Sequence, residues 1–551
     1  MQEKKLDGNT YCRLLRGGYR KLREHAAEIN GLNVFPIPDG DTGDNLCATV
    51  RGGVQAVRGA EDLPLWEAAE RVSRGMLLGA RGNSGVILSR MFAGIAEGFK
   101  GLKEAGPREF ASAAEEGVRC AYASVLHPVE GTMLTVMNEA TGFAAGRVRA
   151  ESALEEFLAD FVREVENSLD NTPELLQVLK QAGVVDSGGA GVLCLARGAL
   201  EALRGGTGED GAEEEAAAAA EGPDLSRFDE NSVLEFGYCT ECLLQLTRAK
   251  TDVEAFSLDE LRAWLQTVGD SIAAFQTGTV VKVHVHTERP GRVLEYLQQF
   301  GEFLTLKIEN MTIRHSSAEE KKREPVFRKN PVRKPFGVVA VAEGEGMIRT
   351  FRELGADAVI DSGAGNPSVA LFLEAVRAVN ADAVFVLPDN CNFRLAAQEA
   401  AKLAEDCRVL VLPSGDMGEG YVALSALDCT GEAEQIADVM TGEMQNSVSG
   451  MVAKASRTAE FSGLEIKKDD FIGFSRKTVL ATAGDRVRAA LALVERLGLA
   501  EREFAVVFYG KAVREGERKA FSDALKAQYP HVELYEVEGG QELYDFIVVL
   551  Q

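Results

Sequence analysis

Residues 33–45 read NVFPIPDGDTGDN, and the way this stretch runs into the apolar residues after it decides the fold of the first part of the chain. Pro36 and Pro38 each fix φ and hold the approach extended. Asp39 and Asp41 lie two apart, so in extended geometry their carboxylates emerge on one side, with Gly40 allowing a tight path between them. From Asp44 onward Leu46, Val50, Val54 and Val57 recur at helical spacing. A helix therefore starts at Asp44 or Asn45, and its free amides face the same region as the carboxylates. Two convergent carboxylates suit a hard divalent cation, and magnesium with phosphates is the usual case. A turn capped by Asp44 is the alternative. Three acids, polar caps and two prolines together weigh toward metal binding.

Helical patterns continue near 65–78, 86–98, 108–126, 132–145, 151–168 and 189–203, separated by Gly, Pro or Asn-Thr-Pro. With no convincing strand among them, residues 1–205 are expected to form an antiparallel helical bundle or helical barrel. Three further polar turns precede helices: GARGNSGV (Gly79 to Val86), HPVEGTMLTV (His127 to Val136) and VVDSGGAGV (Val184 to Val192). Glycines there allow close backbone approach to an anion, and Asn83 and Ser84 add side-chain donors. Each turn alone is an ordinary N-cap. Together with the first they could gather at one end of a bundle.

An acidic linker, 206–227, comes next; its residues 209–224 hold seven acids and no base. It reads as a solvated spacer. Residues 228–318 switch period, giving strand-like SVLEFGYCTECLLQL, helical SLDELRAWLQTVG, strand-like SIAAFQ and TVVKVHVHT, helical GRVLEYLQQF and strand-like FLTLKIENM. That order predicts a ferredoxin-like α+β middle domain. A basic, proline-bearing linker spans 319–335. Residues 336–551 alternate apolar runs (FGVVAVAEGEG, ADAVFVLPDN, CRVLVLPSGD) with polar turns and helical stretches, predicting a largely parallel C-terminal α/β domain. A second lobe is expected from about residue 445. The turns AEGEG and PSGDMGEG of the C-terminal domain are read as ordinary βα-turns, because a full dinucleotide fingerprint is missing.

The 551 residues carry 60 Lys and Arg against 85 Asp and Glu, a formal charge of -25, with 46% hydrophobic content. Such a chain buries proper cores. Its field disfavours nucleic acid and anionic lipid surfaces, and ATP would need a metal ion or backbone donors. No apolar stretch comes after the first charges and no run reaches membrane-spanning length. Nine scattered cysteines do not make a disulfide framework, and the expected compartment is the cytoplasm.

The first segment resembles the nucleotide-binding domain of the dihydroxyacetone kinase family (the DhaL domain), a barrel of antiparallel helices that holds ATP and magnesium at one end. On that resemblance Asp39 and Asp41 match the metal aspartates and Asn45 the asparagine after them. Gly82, Asn83 and Ser84 match the phosphate turn, Thr132 and Met133 the Thr-Met nucleotide contact, and Asp186 the late-loop aspartate. Thr42 and Gly131 belong to the same turns, and Arg81 is a candidate to stabilise the transferring phosphoryl group. The family carries a further aspartate about five residues before the loop. Here Asn33-Val34 stand there, leaving Asn33 or Asp44 as the third metal ligand.

FPIPDGDTGDN, PVEGTML, GYCTE, KVHVHT and the final GGQELY together resemble the ATP-binding catalytic subunit of bacterial fatty acid kinase over essentially the whole chain. The resemblance implies γ-phosphate transfer from ATP to a fatty acid carboxylate presented by a separate, DegV-like fatty-acid-binding partner. The product would be an acyl phosphate for phospholipid synthesis. It also implies a homodimer, and docking of the partner on the C-terminal domain.

In VVKVHVHT, His284 and His286 fall on the strand face opposite Val281, Val283 and Val285. Cys239 lies on a segment able to pair with them, and Glu241, Cys242 or water could be a fourth ligand. A polar strand face with a buried cysteine fits these residues as well as zinc does. The resemblance, in which these positions form a zinc site, implies zinc.

Two other functions compete: a dihydroxyacetone-type small-polyol kinase and a non-enzymatic nucleotide-responsive regulator. Residues 336–551 contain one histidine, His531, with no polar cluster to make it a covalent substrate anchor. A regulator would be expected to have an eroded metal loop, whereas Asp39, Asp41, Thr42 and Asn45 are all present.

Overall fold

The computed structural model describes residues 5–32, 40–58, 62–149, 151–205, 238–253, 256–265, 267–277, 279–287, 289–310, 327, 329–461 and 463–551. The acidic 206–227 linker and most of the basic 319–335 linker lie outside them. The chain divides into two compact units, one of Met1–Gly208 with Phe327–Gln551, the other of Glu209–Val326.

Asp7 starts the helical segment by capping α1 (Gly8–Glu24), its carboxylate accepting from the Thr10 amide at 2.8 Å. After α2 (Ala26–Asn30) come α3 (Thr42–Ala56), α4 (Leu65–Gly79), α5 (Gly82–Gly98) and α6 (Pro107–Ala123). The segment ends with α7 (Met133–Arg147), α8 (Leu154–Leu175), α9 (Gln177–Ala182) and α10 (Ser187–Leu203). Helix α3 packs on α1, α4 and α5, α6 joins α5 to α7, and α8 lies between α7 and α10, which returns against α1. Leu46, Val50, Leu88, Val136, Met137 and Val192 are buried in the shared core, as expected from their spacing on one stripe of each helix. Glycine sets the spacing of α3 and α4. A Cβ on Gly52 would lie 2.4 Å from the Gly75 carbonyl oxygen, and one on Gly75 2.3 Å from that of Gly52.

The segment is not wholly helical. Strand β1 (Leu6–Asp7) pairs antiparallel with β2 (Glu104–Ala105). Two residues leave no period to detect, and their pairing joins stretches far apart in the chain.

The middle unit runs β3 (Tyr238–Leu246), α11 (Leu258–Leu265), β4 (Asp270–Thr277), β5 (Val280–Thr287), α12 (Pro290–Leu297) and β6 (Gly301–Asn310). Its antiparallel sheet has the order β4-β5-β3-β6. Val281, Val283 and Val285 bury one face of β5 in a core shared with Leu261, Leu265, Val293 and Leu297.

The C-terminal segment builds two sheets. The first is wholly parallel, β10-β9-β7-β8, from β7 (Lys334–Ala342), β8 (Ala358–Asp361), β9 (Ala381–Leu387) and β10 (Arg408–Val411). Helices α13 (Glu345–Glu353), α14 (Val369–Val379), α15 (Arg394–Leu403), α16 (Met417–Ser425) and α17 (Ala433–Asn446) accompany it. The second comprises β11 (Val448–Lys454), β14 (Phe471–Ser475), β15 (Thr478–Ala483), β16 (Phe504–Tyr509), β17 (Glu533–Glu538) and β18 (Phe546–Leu550). A small hairpin, β12 (Ala459–Phe461) with β13 (Leu464–Ile466), and helices α18 (Arg486–Arg496) and α19 (Glu515–Gln528) complete it. The expected parallel order fails there: in β15-β14-β11-β18-β16-β17 only β16 and β17 run parallel. Short connections such as that from β14 to β15 force antiparallel pairing. His531 precedes β17, its Nε2 3.1 Å from the Ala500 carbonyl oxygen.

This segment packs against the helical one. Ala80 and Val86, on either side of the second polar turn, are buried in one cluster with Val339, Val369 and Phe372. Arg90 of α5 faces the buried Glu399 of α15 at 3.9 Å.

Candidate functional site

The first turn places Asp41 at the N-terminus of α3, with the Asn45 amide donating to the Asp41 carbonyl at 2.8 Å. Asp39 and Asn33 lie outside the described residues. One turn along the helix, Asn45 Nδ2 donates to Asp41 Oδ1 at 2.9 Å. Asp41 Oδ2 accepts from Asn366 Nδ2, contributed by the loop before α14, and the same nitrogen lies 3.0 Å from Asn45 Oδ1. Burial raises the Asp41 pKa; the Asn366 hydrogen bond opposes it, and the nearby Asp44 charge adds to it. Asp44 is exposed and accepts from Asn30 Nδ2 at 2.9 Å, while Asn30 Oδ1 takes the Gly43 amide at 2.7 Å.

The second turn lies on the first. Gly82 has φ +58, and a Cβ there would stand 2.5 Å from Asn45 Nδ2. The left-handed conformation and the missing side chain are both needed to bring this turn onto the metal loop. Among the described residues Asn83 Oδ1 is buried without a partner, and Ser84 is half-buried. Arg81 forms an antiparallel bridge with Ser368.

The third and fourth turns meet each other. Thr132 stands at the N-cap position of α7 with its hydroxyl turned away from the helix, donating to the Val129 carbonyl at 2.8 Å, and Gly131 has φ +80. Asp186 caps α10 by accepting the Gly189 amide at 2.7 Å. Burial pushes Asp186 up to about 6, against the pull of the Gly189, Met133 and Gly188 amides. Ser187 Oγ donates to Thr42 Oγ1 at 3.2 Å, tying the fourth turn to the first. All four helix starts thus gather at one place.

A cavity of about 590 Å³ opens beside them, lined by Asp41, Thr42 and Asp186 on one side. The other wall comes from C-terminal residues that the sequence does not mark as a site, among them Asn366, Asp389, Asp416 and Arg476. Asp389, after β9, is 5% exposed with φ +52, and among the described residues neither of its carboxylate oxygens meets a donor in close hydrogen-bonding geometry. Burial drives its pKa well up; the nearby Ser414 hydroxyl opposes this and the Asp416 charge adds to it. Asp416 caps α16, and its Oδ2 accepts from Ser449 Oγ at 2.7 Å; Glu419 pairs with Arg476 at 2.9 Å. Asp389 and Asp416 follow the parallel strands β9 and β10, a usable signal in the sequence, since ligands gather at such strand ends. PSGDMGEG has the chemistry of an ordinary turn and nonetheless lines this wall. No histidine lines the cavity among the described residues.

In the middle unit, the β3–β5 register sets Cys239 opposite His286 and Glu241 opposite His284. The side chains of these four lie outside the described residues. Cys242 is buried on the valine face, which pushes its thiol up to about 11 and removes it from the expected ligand set. Among the described residues no group of three or more His, Cys, Asp or Glu side chains could hold a metal ion.

Three family matches cover the chain: the "DAK2 domain" over residues 36–201, the FakA-like middle domain of fatty acid kinase over 235–318, and the FakA-like C-terminal domain over 337–551. Protein YloV of Bacillus subtilis (strain 168) is 36% identical over 554 residues, 100% of both chains. The chain belongs to the FakA-like family of fatty acid kinase subunits. Its DAK2 region is a kinase-family domain, and the helical segment described above coincides with it. Among solved structures, dihydroxyacetone kinase from C. freundii in complex with AMP-PNP and Mg2+ is 17% identical at TM-score 0.28, covering 34% of this chain and 33% of that one. DegV, a fatty acid binding protein from Bacillus subtilis, is 13% identical at TM-score 0.30, covering 39% of this chain and 99% of that one. Likenesses of that size are too small to place a ligand. Among the described residues no helix is long and apolar enough to cross a membrane.

Proposed function

We propose that the protein is an ATP- and magnesium-dependent kinase that phosphorylates the carboxylate of a fatty acid presented by a separate, DegV-like acyl-binding partner, giving an acyl phosphate. The observation that carries this reading is the gathering of four helix N-termini around Asp41, Asn45, Gly82 and Asp186, the first and fourth of which line one cavity. Family membership supplies the acceptor class, and the family's description as one subunit of a kinase supports a partner. We read the ring of helices as the antiparallel barrel and the middle unit as ferredoxin-like, which their neighbour order supports.

The oxygen-only donor set suits magnesium: Asp41 keeps a free lone pair on each oxygen, and Asp39 and Asp44 flank it in sequence. Bound there, magnesium would neutralise phosphate charge. The chain's own contribution is positioning. Amides at the starts of α3 and α5 would hold the phosphates, and Asn45 fixes the direction of Asp41. Asp186 holds the α10 start against Met133. Arg81 neutralises the transferring group. A fatty carboxylate is ionised near pH 7 and needs no general base, consistent with a cavity wall without histidine among the described residues. We also assign zinc to Cys239, His284 and His286.

A small-polyol acceptor is the second reading, favoured by one observation: the buried Asp389 carboxylate borders the cavity and could accept a hydroxyl proton. Comparing ATP consumption with free fatty acid, dihydroxyacetone, and fatty acid plus an acyl-binding partner separates the two. Turnover only when the partner is present supports the first, and turnover with dihydroxyacetone alone replaces it by the second.

A further inference from the structure

Asn366 sits in the loop SGAGNPSV, far from the metal loop in sequence yet bonded to it. The loop is held on both sides. Before it, Asp361 Oδ1 accepts the Gly363 amide at 2.9 Å and Gly365 turns the chain at φ +113. After it, Ser368 Oγ accepts the Leu371 amide at 3.2 Å and starts α14. The Val369 amide donates to the Ala80 carbonyl at 3.2 Å, and Ser368 bridges to Arg81, so the loop is stitched to the second polar turn as well. An amide NH2 has two hydrogens. Those of Asn366 go to Asp41 Oδ2 and Asn45 Oδ1, while Asn45 Nδ2 donates to Asp41 Oδ1. Both carboxylate oxygens are therefore oriented by amides, and each retains a lone pair. A carboxylate that ligates a metal is commonly held in this way by hydrogen bonds from behind.

We propose that Asn366 is a positioning residue of the metal–nucleotide site, so that the C-terminal α/β segment completes that site as well as whatever docking it performs. The inference rests on the kinase reading above. Asn366 fixes the direction of Asp41, and the fixed carboxylate binds magnesium without first reorganising.

The test uses the full chain, wild type against Asn366→Ala and Asn366→Leu, the leucine keeping the volume without the donors. Binding of magnesium with a non-hydrolysable ATP analogue is measured by titration calorimetry, and melting by differential scanning. Magnesium half-saturation is expected to rise about 10–100-fold in both variants, with melting temperatures near that of the wild type and maximal turnover recovered at high magnesium. Unchanged half-saturation overturns the proposal, as does tighter binding, which would make the amide a competitor of the metal. A fall in melting temperature with unmoved half-saturation in the folded fraction also overturns it. If the wild type itself binds no magnesium–nucleotide, the kinase reading fails, and that result is distinct from equal binding by wild type and variants.

Discussion

Replacing Asp389 by asparagine should stabilise the protein at neutral pH, by an amount that shrinks as the pH falls. The Asp389 carboxyl is buried, the Ser414 hydroxyl and the Val341 amide offset that burial only in part, and the buried Asp416 adds a like charge. Gly420 closes the space behind it: a Cβ there would lie 2.2 Å from Oδ1, so the side chain has no escape toward α16. A buried group left without a partner costs about 1–3 kcal/mol, and more when charged. Asparagine has the same shape and no charge, so a gain of at least about 1 kcal/mol is expected at pH 7. That corresponds to roughly 2–4 °C in Tm for a folding unit of a few hundred residues. Because the folded-state pKa is raised above the ordinary value of 3.8, the native state binds the proton more tightly than the unfolded chain. Stability is therefore fully present below 3.8 and is lost as the pH rises toward the folded value. The wild type should narrow the gap between pH 7 and pH 5. Differential scanning calorimetry of both proteins at the two pH values measures this directly. A variant less stable at pH 7, or a gap that does not change with pH, would refute the reasoning.

Gly82→Ala places a side chain at φ +58 and drives a methyl group into the Asn45 amide. The strain alone is worth about 1–2 kcal/mol, and ATP turnover should fall at least tenfold because the first turn is displaced; turnover equal to wild type would mean the two turns need not touch. His284→Ala should lower the zinc content found by elemental analysis and loosen the middle unit, whereas unaltered zinc would remove that site.

Much of this architecture is legible in the sequence because it repeats over many residues. The apolar period over 65–78 corresponds to α4 at Leu65–Gly79, and TVVKVHVHT to β5 with its valines buried. Local turn chemistry also carries through, with Asp186 before SGGAG capping α10. Two-residue β1 and β2 have no period. The second C-terminal sheet is largely antiparallel because its order depends on which distant strands pair, and β11 lies between β14 and β18. The far wall of the cavity is hidden for the same reason. Asn366 and Asp41 are 325 residues apart, and nothing in SGAGNPSV distinguishes a loop that meets a carboxylate from one that meets water. Asp389 differs in that its strand-end position is visible, while its lack of a partner is set only by the packing around it.

Transfer of the ATP γ-phosphate to a carboxylate is the claim on which the account turns, and it can be followed with labelled ATP, magnesium, fatty acid and an acyl-binding partner. The acyl phosphate is trapped with hydroxylamine and counted for wild type and Asp41→Ala at matched far-UV circular dichroism. The account predicts fatty hydroxamate in proportion to ATP consumed by the wild type and none from the variant. Equal yields from the two proteins, or ATP consumed with no hydroxamate, would contradict it.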